Sequence, residues 1–510
     1  MADIILSPQQ QYVVDFVRDG TGSAFVEAVA GAGKTFTLLQ ALSVTSGDVA
    51  FAAYNKKIAD EIKTKIAKMN CGNRVRVGTF HSFGLGAWRR IHPNVKCGPE
   101  AADRKAKLTI DRLSLDRNIS SLVLKLISLA KQRALGLYGS IDDTSKWYDI
   151  VDHFDLTYEL EDDTSLPLVV EKAIEGIKYH REISDTLIDF DDMIYMPVVT
   201  GSKVWTNSFV FVDEAQDTNP ARRAYVRKML GHRGRAIFVG DRHQAIYGFT
   251  GADNDAVDLI INEFKCKTLP LTVTYRCPKK VVEKARSVVN HIVAHVSAPE
   301  GEVETMRLDD FFKQGELAKT NLTSSDAILC RKTKPLIDMA FALLRNSIPC
   351  HVEGRDIGAS LETLLNKFAS AKTLDGLLSR LKAHSDSQFQ KLTAKNKQPQ
   401  AEALKDRIET VLAIAQQCKT IDELRASIRR MFVDEATGTS RPTLTLSTVH
   451  KSKGREWPRV FILGANLWMP GSWAKQDWEI EQEYNLMYVA YTRAQERLVF
   501  VNVTDQQPNK

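Results

Sequence analysis

The most telling spacing in the chain is Ala28-Val-Ala-Gly31-Ala-Gly33-Lys34-Thr35, directly after a short apolar run. A glycine-rich turn that ends a strand and opens a helix points backbone N–H groups at an anion, and phosphate is the usual guest. Ala30, Gly31, Ala32 and Gly33 would line the cradle. Lys34 would reach the outer phosphates of a nucleotide, and Thr35 would hold Mg2+ through its hydroxyl. One hydroxyl cannot fix a divalent cation where hydrolysis needs it. The complement stands at Phe209-Val-Phe-Val-Asp213-Glu214-Ala-Gln216-Asp217. Four apolar residues before an acidic pair place Asp213 and Glu214 at the carboxyl end of a strand, where α/β sheets bind their ligands. Asp213 would complete the Mg2+ shell, and Glu214 would polarise water as a general base. An acidic pair after a strand is otherwise a helix cap; beside the glycine-rich turn, the catalytic assignment is the stronger.

These residues need a sheet to hold them. Apolar runs ended by Gly, Asp or Ser, each followed by a helix-like stretch, recur at 24–28, 49–53, 75–78, 209–212 and 236–239. A second set follows at 269–273, 327–330, 443–447, 460–463 and 498–503. Near-continuous apolar strands separated by helices predict α/β architecture with parallel sheets buried on both faces. Two α/β units are expected, 1–88 with 188–267, and 268–357 with 438–510. The strandless regions 89–187 and 358–437 have helical spacing, so each unit is expected to carry a helical insertion, the second one short. Thr420 and Glu423 fit a capping box. The polar run 391–400 is expected to be a loop.

Composition narrows the class. The 510 residues are 44% hydrophobic and 26% charged, which excludes a disordered, collagen-like or coiled-coil chain. The excess of 69 Lys+Arg over 63 Asp+Glu gives +6, compatible with a phosphate-bearing polymer without demanding one. The cysteines at 71, 97, 266, 277, 330, 350 and 418 are scattered, with no CxxC pair. They read as reduced intracellular thiols, neither a zinc site nor a disulfide framework. No signal peptide and no membrane span is expected, and the protein is expected in the cytoplasm.

Further segments carry a family resemblance. Val212-Asp213-Glu214-Ala-Gln216-Asp217-Thr-Asn219 and Val239-Gly-Asp241-Arg-His-Gln244-Ala-Ile-Tyr247-Gly-Phe249 resemble motifs II and III of UvrD/Rep-type superfamily 1 DNA helicases. Leu6 to Gln11 is similar to the adenine-reading Q motif, with Gln10 at the glutamine position. Tyr54-Asn55-Lys56 resembles motif Ia, Thr79-Phe80-His81-Ser82 the next DNA-contacting segment, and Asp189-Phe-Asp-Asp192 a further signature. Tyr275-Arg276, Thr448 to Glu456 and Tyr488 to Ala494 resemble motifs IV, V and VI. The closest resemblance is to compact F-box and phage-type members.

The resemblance implies two RecA-like P-loop NTPase domains that bind ATP with Mg2+ and move on single-stranded DNA, 3′→5′, up to single-strand/duplex junctions. It implies that Tyr275 stacks on adenine, Glu456 holds the ribose, Gln244 senses the γ-phosphate, and Arg276 and Arg493 act as arginine fingers. For DNA it implies Tyr54, Phe80, His81, Tyr247, Phe249 and His450 as stacking candidates, with Asn55, Lys56 and Thr79 near the backbone. A monomer associated with the nucleoid, serving replication, repair or recombination, is the corresponding expectation. Phe36 stands where many members have Arg. The alternative is a translocase that strips proteins from single strands and separates duplex poorly.

Overall fold

The computed structural model describes residues 5–69, 74–154, 156, 165–246, 255–311, 322–346, 348–394, 398–432 and 443–504. The chain divides into two compact units: one of residues 1–29 and 33–272, the other of 30–32 and 273–510.

The first unit is built on six parallel strands: β1 (Ala24–Ala28), β2 (Val49–Ala53), β3 (Val75–Thr79), β4 (Asn207–Val212), β5 (Leu230–Gly240) and β6 (Lys267–Leu271). Their order across the sheet is β3-β2-β4-β5-β1-β6. Every residue of β2 is buried, as a strand covered on both faces requires. Because all strands run the same way, the turns after β1, β4 and β5 open at one edge, and the phosphate-site residues sit there. The segment after residue 268 was expected to begin the second unit. Instead β6 pairs with β1, Ala24 opposite Lys267 through Ala28 opposite Leu271. Apolar periodicity marks a strand but does not say which sheet takes it.

The first insertion contains helices Pro99–Leu113, Arg117–Gln132, Thr144–His153 and Leu166–Glu182. They pack around Trp147, Leu126, Val169 and Ile177, in a core that also takes in Trp88, Met193 and Tyr195 from the flanking helices. The chain enters and leaves through a bridge between Lys96 and Leu187. A buried ionic cluster ties this insertion to helix Phe190–Val199. Lys105 Nζ lies 2.6 Å from Asp192, and Lys131 Nζ lies 2.5 Å from Asp189, 2.7 Å from Asp192 and 2.8 Å from His180 Nδ1. His180, Asp189 and Asp192 stand close enough to share a metal ion. The Lys131 ammonium already fills that position.

The second unit has the parallel order β11-β12-β10-β13-β14-β9, from β9 (Glu302–Arg307), β10 (Ala327–Cys330), β11 (Cys350–Val352), β12 (Leu444–Thr448), β13 (Trp457–Leu463) and β14 (Ala494–Asn502). A two-stranded parallel pair, β7 (Val273–Thr274) with β8 (Val293–Ala294), stands apart from it. The helices Arg355–Asn366, Leu374–Ala394, Gln398–Ala415 and Ile421–Met431 share one core with the sheet through Leu361, Leu381, Ile408 and Ile428. Of the loop expected at 391–400, residues 391–394 and 398–400 are helical instead, which corrects it there, and 395–397 lie outside the described residues. Thr420 caps its helix by accepting from Glu423 N–H, but the Glu423 carboxylate takes the Lys419 N–H, so the box is displaced by one residue.

Candidate active site

In the first unit, β1 delivers the chain into the turn and Gly33 launches helix Lys34–Ser43 from a left-handed backbone, φ 77°. A Cβ at Gly33 would also stand 3.1 Å from Gln10 Nε2, so glycine suits both the turn and its neighbour. Gln10 is positioned by a capping box: its N–H donates to Ser7 Oγ at 3.2 Å and its Oε1 accepts from Ser7 N–H at 3.0 Å.

Lys34 Nζ lies 3.4 Å from Glu214, and Thr35 Oγ1 donates to Asp213 Oδ2 at 3.3 Å. Burial works to lower the Lys34 pKa, but Glu214, Asp241 and Asp213 together outweigh it, so the ammonium is held charged. Burial, and then the neighbouring Glu214, push the Asp213 carboxyl up to about 6. A hydroxyl and a destabilised carboxylate are hard oxygen donors that suit Mg2+, whose charge would relieve that repulsion.

A relay extends from this pair. Gln216 Nε2 donates to Glu214 Oε2 at 2.5 Å, and Asp241 N–H donates to Gln216 Oε1 at 3.1 Å. Gln244 Nε2 then donates to Asp241 Oδ2 at 2.7 Å. Gly240 permits this approach, since a Cβ there would lie 2.5 Å from Gln216 Oε1. Glu214 has φ 50°, uncommon for a non-glycine residue and placed at the site. Gln216 and Asp241 were absent from the expected set, although both stand inside the two motifs that carried it.

The DNA-contact candidates of this unit divide. Tyr54 is exposed, with the Arg222 guanidinium 6.0 Å from its ring centre. Asn55 and Thr79 cap helices, accepting from Ile58 N–H at 2.9 Å and Ser82 N–H at 3.2 Å; Lys56 is exposed. Phe80 is a correction: it is buried among Ala52, Val212 and Tyr225 in the sheet core and offers no stacking face. A Phe that opens a helix over a sheet turns inward to cover apolar strands. His81 stands edge-on to Phe190, ring centres 6.3 Å apart, and burial lowers its pKa to about 4. Phe190, which is 47% exposed, is the aromatic that sequence reasoning passed over; its only sequence signal is its place inside Asp189-Phe-Asp-Asp192. Tyr247 and Phe249 lie outside the described residues.

In the second unit, Tyr275 is 45% exposed and its ring meets His295 at 4.9 Å between centres. Arg276 pairs with Glu456 and donates to Thr492 O at 3.4 Å. Arg493 is buried, donating to Val489 O and Arg455 O at 2.9 Å each. Glu456 also accepts from Gln495 at 2.9 Å. Tyr275, Arg276, Glu456 and Arg493 thus come from one neighbourhood of this unit. His450 follows β12, and burial with the nearby Arg331 holds its pKa well below the usual value, so it is neutral.

Residues 6–265 match the UvrD/REP helicase N-terminal domain, and residues 370–505 match the UvrD-like helicase C-terminal domain. The chain belongs to the UvrD/REP helicase family. It is similar to the ATP-dependent DNA helicase Rep of Escherichia coli (strain K12), 25% identical over 318 residues, or 56% of this chain and 43% of that protein. It is also similar to the ATP-dependent DNA helicase PcrA of Leuconostoc citreum, 24% identical over 370 residues, 68% of this chain and 47% of that one. With the probable DNA helicase II homolog of Mycoplasma pneumoniae it shares 24% identity over 306 residues, 55% of this chain and 42% of that protein. The chain spans somewhat under half the length of these curated relatives. Among the described residues, no helix is long and apolar enough to cross a membrane.

Proposed function

We propose that the protein hydrolyses ATP to move 3′→5′ along single-stranded DNA and to separate duplex at junctions, in replication, repair or recombination. The observation that carries this is the gathering of Lys34, Thr35, Asp213 and Glu214 at one helix N-terminus, with Gln244 joined to them through Gln216 and Asp241. The helix N-terminus and Lys34 bind and orient the triphosphate. Thr35 and Asp213 would hold Mg2+, which supplies charge neutralisation on the phosphate oxygens when bound. Glu214, aimed by Gln216, accepts the proton of the attacking water. Gln244, anchored on Asp241, registers the γ-phosphate. Tyr275 stacks the adenine with Gln10 reading its edge, Glu456 meets the ribose, and Arg276 and Arg493 neutralise the charge that develops on the transferred group. Tyr54, His81, Phe190 and His450 contact bases, and Asn55, Lys56 and Thr79 lie along the DNA backbone.

A second reading, a translocase that strips bound proteins with weak strand separation, is favoured by the small second insertion, four helices between 355 and 431. ATP turnover stimulated by single-stranded DNA is expected and is abolished by Lys34→Ala or Glu214→Gln. Near-normal turnover in either variant refutes the site. Unwinding of duplexes with 3′ or 5′ tails then separates helicase from translocase and fixes direction.

A further inference from the structure

A cationic, aromatic patch in the first unit is built from residues that the proposed function does not use. Arg76 is the second residue of β3 and Trp205 stands two residues before β4, so both mark the amino-terminal ends of parallel strands. Thr79 and Asp213 mark the opposite ends; Thr79 is three residues on from Arg76, about 10 Å along the strand at ~3.3 Å per residue. The Trp205 indole is 52% exposed. The Arg76 guanidinium lies 4.3 Å from its ring centre and the Arg90 guanidinium 5.2 Å from it.

Two like charges on one ring repel: burial lowers the Arg76 pKa most, Asp48 opposes it, and Arg90 lowers it by a smaller amount. Among the described residues neither arginine has a carboxylate at ion-pair distance. Arg76 is nonetheless oriented, donating to Asn207 Oδ1 at 2.6 Å. Ile91, the residue after Arg90, is 52% exposed.

We infer that this patch docks an acidic segment of a partner protein, carboxylates on Arg76 and Arg90 and an apolar side chain beside Ile91. The choice against nucleic acid rests on the ring. Both cations already lie over the indole ring that a base would stack on, leaving guanidinium edges, whose fork geometry suits carboxylates. A negative partner would also relieve the Arg76–Arg90 repulsion.

The test uses the full chain and a labelled short peptide of Asp and Glu around one Phe, with labelled duplex and single-stranded oligonucleotides as parallel probes. Anisotropy is expected to report peptide binding that weakens with salt. Arg76→Glu with Arg90→Glu should lose at least about tenfold in peptide affinity, the loss expected of about 1.4 kcal/mol, while leaving single-strand affinity unchanged. The single exposed change Arg90→Gln, with its melting curve matched to the parent, should give an intermediate loss and guards against misfolding of the double variant. No peptide binding by the parent, equal binding by the variants, or a loss confined to the duplex probe overturns the inference.

Discussion

At the scale of single residues, the site depends on how carboxylates are aimed and kept in the required charge state. Gln216 holds Glu214 from one side and the Asp241 N–H from the other. Gln216→Ala should therefore lower kcat roughly tenfold, part of the ~10²–10⁴ that a general base contributes, with KM for ATP little changed. Steady-state ATPase kinetics would detect this, and a change confined to KM would place Gln216 in binding. His180 offers a pH readout. Burial first, then Lys131, lower its pKa to about 4, below the ordinary 6.5. The unfolded chain protonates near 6.5 and the folded one near 4, so the His180 contribution is complete above 6.5 and lost as pH falls toward 4. The loss amounts to about 3 kcal/mol. His180→Gln should be less stable than the parent at pH 7, with the gap narrowing across that window in urea melts. A gap that stays constant with pH would show that His180 protonates freely in the fold.

At the scale of elements, the insertion is held to helix Phe190–Val199 by charges that have left water. Lys131, from helix Arg117–Gln132, meets Asp189 and Asp192, which also form the capping box of the helix they begin. Lys131→Met removes the shared cation and strands buried carboxylates, at an expected cost of about 3–5 kcal/mol. A denaturant midpoint near the parental value would show that Lys105 and water compensate. Sequence legibility follows the same physics. Strands β2 and β10 were readable to the residue because both faces are apolar, and β1 because Glu27 alone interrupts its apolar run, whereas β9 was not: as an edge strand it alternates charge, Glu302-Val-Glu-Thr-Met-Arg307, and is exposed at four positions. Three-residue β11 was too short to register. The place of Asp213 and Glu214 at the end of β4 was legible because strand and acidic pair are contiguous. Phe80 misled because an aromatic beside DNA-type polar residues carries no sequence mark of which way it faces.

At the scale of the whole molecule, Lys34 and the carboxylates belong to one unit, and Arg276 and Arg493 to the other. The proposed reaction requires both sets on one triphosphate. Arg276 also has a structural explanation, its pairing with Glu456 and its bond to Thr492 O. The two roles predict different mutant patterns. If the arginine only braces its loop, Glu456→Gln should reproduce the effect of Arg276→Ala, because either change breaks the same pair. If it neutralises transferring phosphoryl charge, Arg276→Ala should lower kcat by about 10³ or more with ATP affinity within a few fold. Glu456→Gln should then act mainly on KM through the ribose. The expected outcome is the second pattern, measured by ATP turnover alongside equilibrium binding of a fluorescent ATP analogue, and equal losses in the two variants would remove Arg276 from the chemistry.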